Sequence, residues 1–231
     1  MPTDSSWNVI DDEHAILWRE YRFGRARATS MVFRGVDGLV VVSPDKDVPA
    51  REFDALAERG PVRALVANNS WHYLGQAQWR ARFPDAESYC PPEALADLRR
   101  KAPSIDWQSL STLALPAHAH WQETPGFTIG ESIVTVESAR GPVMYAGDVP
   151  ANMQQLPPAP IKWLFTLTDS APGFRLFWLA AQFSIDDKKL VRDELLARID
   201  ALPPTIVVPG HGVPVDSADV AEQARAQLRR L

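Results

Sequence analysis

The spacing of apolar and polar positions along this chain changes period as it is read forward. From Trp7 to Val42, short apolar runs alternate with turn residues such as Val36-Asp37-Gly38. The runs are Trp7 to Ile10, Ala15 to Trp18, Met31 to Phe33 and Leu39-Val40-Val41-Val42, and they predict a β-meander. The spacing then lengthens: Phe53, Leu56 and Ala57 share one face of a helix predicted over Pro49 to Arg59 and stopped by Gly60-Pro61. Val62 to Ala67 predicts a strand, Leu74 to Phe83 a helix closed by Pro84, Ala86 to Cys90 a strand, and Glu93 to Ala102 a helix. Strand and helix in alternation are the signature of an α/β layer.

The second half returns to short apolar runs. Ser111 to Leu115 reads as a strand, followed by Ala117-His118-Ala119-His120-Trp121, then Phe127-Thr128-Ile129 and Ser132 to Glu137. After a Gly141-Pro142 turn, Val143-Met144-Tyr145 leads to Asp148, which completes a second meander. Residues 149 to 183 form a long connection bearing Leu156-Pro157-Pro158-Ala159-Pro160, Trp163 and Trp178, and its length predicts short helices over the mouth of a site. Ser184, with Asp187 three residues on, has the form of an N-cap. Leu190, Val191, Leu195 and Ile199 mark one face of the helix that follows, which ends at Pro203-Pro204. Ile206-Val207-Val208 is a buried strand, and Asp216 to Leu231 closes the chain as a helix.

Composition narrows the class. With 231 residues, 45% hydrophobic and 23% charged, the chain is long enough for a well-buried core and ordinary for a globular protein. A net charge of -5 argues against nucleic acid as a partner. No apolar stretch approaches the roughly 20 residues of a membrane span. The start, Met1 to Asn8, has no basic and apolar leader pattern, so a cytoplasmic protein is expected. The single cysteine, Cys90, excludes an internal disulfide and a thiolate-rich zinc site, and reads as a small buried apolar residue. Gly-x-Ser-x-Gly, P-loop and Gly-x-Gly-x-x-Gly patterns are absent.

The chemistry gathers at strand ends. Val143-Met144-Tyr145-Ala146-Gly147-Asp148 ends a short strand in a glycine and a carboxylate, and Ile206-Val207-Val208-Pro209-Gly210-His211-Gly212 ends another in an imidazole. An Asp and a His delivered to neighbouring strand ends are metal-ligand material. In this order, and with Thr124-Pro125-Gly126-Phe127-Thr128 between the first loop and Asp148, these motifs resemble the metallo-β-lactamase superfamily over about residues 30 to 215. The resemblance implies a single domain over residues 1–231, folded as a four-layer α/β/β/α sandwich. It also implies that the Asp bridges two metal ions and that the final His binds one of them.

Against that pattern the chain departs at most ligand positions. The family's His-x-His-x-Asp-His motif falls on Asn68-Asn69-Ser70-Trp71-His72-Tyr73, with Gly75 as its trailing glycine, so Asn68, Ser70, His72 and Tyr73 stand where the ligands stand. Phe127 takes the place of the next histidine, and Ser43 that of an Asp supporting the site. Only Asp148 and His211 keep the family's residue type. The leading expectation is therefore a hydrolase-like protein whose dinuclear site is lost, with no metal cofactor. It would bind a small molecule or a partner in the old cleft, which Asn68, Ser70, Tyr73 and Phe127 would line. The alternative is a hydrolase of esters, thioesters or lactones. It would use one Zn, Fe or Mn ion held by His72, Asp148 and His211, which would also be the catalytic residues. His118 and His120 are candidates for a fourth ligand, though these two and His14 read more simply as surface residues. Trp71, Tyr73, Trp163, Phe177 and Trp178 read as core or as the walls of an apolar cavity. A third possibility is an interaction module, marked by an exposed apolar patch around Trp163 and Trp178.

Overall fold

The computed structural model describes residues 5–23, 26–156 and 159–231. The first four residues, Gly24-Arg25 and the Pro157-Pro158 pair of the long connection lie outside them. Among the described residues the first half builds a seven-stranded sheet in sequence order. It consists of β1 (Asn8–Asp11), β2 (Ile16–Phe23), β3 (Ala26–Arg34), β4 (Leu39–Val42), β5 (Val62–Val66), β6 (Glu87–Cys90) and β7 (Trp107–Ser109). The pairings from β1 to β4 are antiparallel and those from β4 to β7 parallel. Parallel neighbours need crossovers, supplied here by α1 (Ala50–Ala57), α2 (Gln76–Arg82) and α3 (Pro92–Lys101).

The second half continues with β8 (Ala119–Thr124), β9 (Glu131–Val136), β10 (Val143–Tyr145), β11 (Pro150–Met153), α4 (Ile161–Leu167) and β12 (Gly173–Leu176). It closes with α5 (Trp178–Ser184), α6 (Lys188–Ala201), β13 (Ile206–Val208), β14 (His211–Gly212), β15 (Val215–Asp216) and α7 (Val220–Leu228). One sheet has the order β15-β13-β10-β9-β8, and a small one the order β12-β11-β14.

Side-chain alternation stacks these elements. Met31, Phe33, Val40, Val42 and Val66 of the first sheet meet Val134, Val136, Val143, Tyr145, Ile206 and Val208 of the second. The residues between them, Val32, Leu39, Val41 and Leu65, point the other way, onto Phe53, Leu56 and Trp79 of α1 and α2. On the far side Ile133, Met144 and Val207 pack against Val191, Leu195 and Ile199 of α6 and Val220 and Leu228 of α7. Helix, sheet, sheet, helix is the four-layer arrangement that the sequence implied.

Four local expectations are corrected. Ser111 to Leu115 is not a strand: a 3-10 turn occupies Leu110–Thr112, and the Thr112 hydroxyl donates to the Ser109 carbonyl at 2.7 Å, so local bonds take groups a ladder would need. Phe127-Thr128-Ile129 makes only a single bridge, Phe127 to Ile185, because Gly126 and Gly130 on either side both turn with positive φ. The connection from 149 to 183 holds β11 and β12 besides its helices. The cap of α6 is Asp187, whose side chain accepts from the Leu190 N–H, whereas the Ser184 hydroxyl donates back to Ala180 at the end of α5.

Candidate metal centre

Two sheets send their chain ends to one place. β10 and β13 are parallel neighbours with Tyr145 opposite Val208. Asp148 and His211 each lie three residues beyond that pair, so register alone brings them side by side. β5 enters the loop that carries His72. Gly75 belongs there because a Cβ would lie 2.1 Å from the Pro44 carbonyl oxygen.

The three side chains converge on one oxygen. His72 Nε2 donates to Asp148 Oδ1 at 2.9 Å, and His211 Nε2 stands 3.4 Å from the same atom. The donor atoms of His72, Asp148 and His211 lie within 4.8 Å of one another. Asp148 is 1% exposed, so the cluster is largely withdrawn from water.

The outward nitrogens of both rings are engaged. His211 Nδ1 lies 2.7 Å from the Arg27 carbonyl oxygen, which can only accept, so Nδ1 carries the proton. The Nε2 of a neutral ring then directs a lone pair at a carboxylate. That arrangement is stable only if the ring is doubly protonated or a cation lies between. Holding the second ring nitrogen in this way is how metal-binding histidines are oriented. His72 Nδ1 contacts the Ser43 hydroxyl. Ser43 itself is fully buried with φ +55, a left-handed conformation uncommon for a residue with a side chain. It stands where the family places a supporting Asp, and here a hydroxyl supports the ring.

Burial alone would raise the Asp148 carboxyl, but the His72 and His211 imidazoles outweigh it and hold it well below the usual carboxylate range. Burial likewise opposes protonation of His211, and Asp148 with the Arg27 carbonyl more than offsets it, so that ring titrates above its ordinary value.

A fourth buried group was not anticipated. Glu131, at the start of β9, is 1% exposed. Its Oε1 accepts from Asn68 Nδ2 at 2.7 Å and the Ser132 N–H at 3.2 Å, and its Oε2 from Asn69 Nδ2 at 3.1 Å and the Asp148 N–H at 3.2 Å. Asn69 Nδ2 also lies 3.1 Å from Asp148 Oδ2. Burial, then the neighbouring Asp148 charge, raise the Glu131 carboxyl well above the usual range, against the pull of these donors. A lone acid opening the run Glu131-Ser132-Ile133-Val134-Thr135-Val136 reads as a solvent-facing strand end. No local sequence signal marks it, because the burial of the whole strand it begins is visible only in the structure.

The remaining cleft candidates are placed apart. Asn68 reaches the centre only through Glu131. Ser70 hydrogen-bonds to Asp97 of α3, and its carbonyl accepts from Lys101 Nζ at 3.0 Å. Tyr73 packs on the Ala94 and Leu98 face of α3 with Lys101 over its ring. Phe127 belongs to the apolar cluster under α6. Packing accounts for these three side chains without a ligand. His118 stacks on His14 at 4.0 Å and contacts the Arg34 carbonyl, while His211 contacts that of Arg27. Seven residues of β3 separate those carbonyls, about 23 Å at about 3.3 Å per residue. His118 is therefore at the opposite end of the sandwich from the centre, and among the described residues only the His72, Asp148 and His211 group has metal-holding geometry.

Around the centre, Phe177 sets its ring edge-on to His211 at 5.2 Å and is backed by Phe165 at 5.6 Å. Trp163 and Leu167 on α4 and Phe183 on α5 are 62%, 85% and 70% exposed. Cys90 is buried, and burial pushes its thiol up to about 12, which leaves it unreactive. No described helix is long and apolar enough to cross a membrane.

No family model matches the sequence, and no curated protein matches it. Solved structures do. The metallo-β-lactamase FIM-1 from Pseudomonas aeruginosa, in its mono-zinc form, is similar with a TM-score of 0.60 and 13% identity, over 97% of this chain and 94% of that one. A metal-soaked Flv1 flavodiiron core from Synechocystis gives 0.65 and 12%, over 96% of this chain and 60% of that one. A β-lactamase domain protein from Burkholderia ambifaria gives 0.57 and 16%, over 97% and 75%. The chain has the metallo-β-lactamase fold.

Proposed function

We propose that this chain is a hydrolase of the metallo-β-lactamase fold with one cation in place of two, held by His72, Asp148 and His211. The observation that carries this is the convergence of the three side chains, whose donor atoms lie within 4.8 Å of one another. The His211 Nδ1–H is committed to the Arg27 carbonyl, and its Nε2 faces the carboxylate oxygen that His72 also approaches. A cation among these three atoms would take the place of the proton between His211 and Asp148. Two imidazoles and a carboxylate suit Zn, Fe or Mn, and three protein ligands leave a coordination position for water or substrate. A cation bound there would polarise an ester, thioester or lactone carbonyl and acidify a water. The chain's own groups do the rest. Asp148 supplies the balancing charge, Asn69 holds its second oxygen, Ser43 and Arg27 fix the imidazoles, and Phe177 keeps water from His211. The mono-zinc form described for FIM-1 is in keeping with single occupancy on this fold.

The test is metal per chain by plasma mass spectrometry, on protein purified without chelator and on Asp148→Ala and His211→Ala. About one equivalent is expected, falling in both variants, with chelator-sensitive turnover on an ester and lactone panel. Two equivalents, or none after incubation with zinc, iron and manganese, would overturn it. A second reading, an interaction module that self-associates, draws on the exposed Trp163, Leu167 and Phe183. Its mark would be concentration-dependent association in sedimentation that Trp163→Asp abolishes.

A further inference from the structure

We propose that the Glu131 carboxyl takes the place of the second cation, as a built-in occupant that restricts the centre to one. This rests on the single-cation reading above. The positions at which the family's other ligands would stand are Asn68, Ser70, Tyr73 and Phe127. Ser70, Tyr73 and Phe127 are engaged elsewhere, and the remaining one, Asn68, points its amide nitrogen at Glu131.

Asp148 is correspondingly divided. Its Oδ1 faces the two imidazoles, and its Oδ2 faces the Asn69 amide that Glu131 also holds. On that second side four N–H groups, from Asn68, Asn69, Ser132 and Asp148, converge on the two Glu131 oxygens. Four convergent donors make a place for acceptor oxygens and a poor one for a cation, which needs lone pairs. The backbone is shaped for the occupant as well. Gly147 turns with φ +61, and a Cβ there would lie 2.6 to 2.8 Å from the three Glu131 carboxyl atoms. Glu131 is thus a positioning residue: it orients Asn69 and the Asp148 backbone, and through them the carboxylate.

The experiment is zinc titration followed by native mass spectrometry on two variants, Asn68→His/Ser70→His and Asn68→His/Ser70→His/Glu131→Ser. The triple variant should take one more zinc than the double, because only there is the space vacated as well as supplied with ligands. Equal stoichiometry would overturn the proposal. The comparison is a difference, so it stands apart from the wild-type count: wild type without metal would sink the single-cation reading and leave this question answered. Cooperative thermal melting checks that both variants fold. If the triple does not, Asn68→His against Asn68→His/Glu131→Ser asks the same thing with fewer changes, and an equal count again refutes it.

Discussion

Replacing Gly210 by alanine should damage the centre more than the fold. A Cβ at Gly210 would lie 2.6 Å from Asp148 Oδ1 and 2.8 Å from the Gly147 carbonyl oxygen, where ordinary contact begins at 3.4 Å. The alanine and the carboxylate must therefore part by about 0.8 Å (3.4 − 2.6). Neither neighbour yields easily. The Gly147 carbonyl accepts from the Gly210 N–H at 2.7 Å, and Asp148 is held at both oxygens. Overpacking of this kind costs about 1–3 kcal/mol, and each kcal/mol is worth roughly 2–4 °C in a domain of this size. Ligand distances at zinc are about 2.0–2.2 Å, so a carboxylate displaced by that much leaves its position. The loss of zinc affinity should be about 10–100-fold, the range seen when an orienting partner is removed. Competition titration against a chromophoric chelator measures it, with Gly173→Ala as control. Gly173 has φ +89 and open space around its Cβ position, so alanine there meets backbone strain of roughly 1–2 kcal/mol and no clash. Melting should drop in both variants and affinity in Gly210→Ala alone. Wild-type zinc affinity in Gly210→Ala, or an equal loss in Gly173→Ala, would refute the reasoning.

Other outcomes follow from the same geometry. Leu65→Ala, fully buried between β5 and the outer helices, should cost about 2–5 kcal/mol in urea unfolding, with metal stoichiometry unchanged. The Glu52 carboxyl is pushed up by burial, but the Ser5 hydroxyl, the Ser6 N–H and Arg19 prevail and hold it below its ordinary value. Its contribution is then present above the unfolded pKa of about 4.3 and lost as pH falls through the folded value. The destabilisation of Glu52→Gln relative to wild type should accordingly be largest near pH 7 and shrink as the pH is lowered in a series of unfolding measurements. His118→Ala should leave metal content unchanged, and a fall would return that residue to the list of ligands.

Asp148 and His211 are legible in the sequence because each follows an apolar strand through a glycine, a pattern that survives whatever the ligands become. His72 is legible only by its loop. Glu131 is not, because its partners Asn68 and Asn69 are 63 and 62 positions away and nothing local distinguishes a buried acid from an exposed one. The Arg27 carbonyl leaves no trace either, since a backbone acceptor belongs to every residue. β11 and β12 were hidden for a related reason. Pro150-Ala151-Asn152-Met153 has no alternation, and its pairing depends on β12 and β14. Ser184 illustrates the opposite error, a good local cap signal preempted by the helix before it.

His211 is also a join between layers. The Thr29 N–H of β3 donates to the Gly210 carbonyl at 2.8 Å, while β14 runs parallel to β11, with His211 opposite Ala151. The loop that offers the imidazole is therefore stitched to the first sheet on one side and to the small sheet on the other. Sliding either by one residue, about 3.3 Å, would carry the ring off Asp148 altogether. The cluster works as a caliper on the sandwich: where the donor atoms of His72, Asp148 and His211 still meet, the sheets are in step.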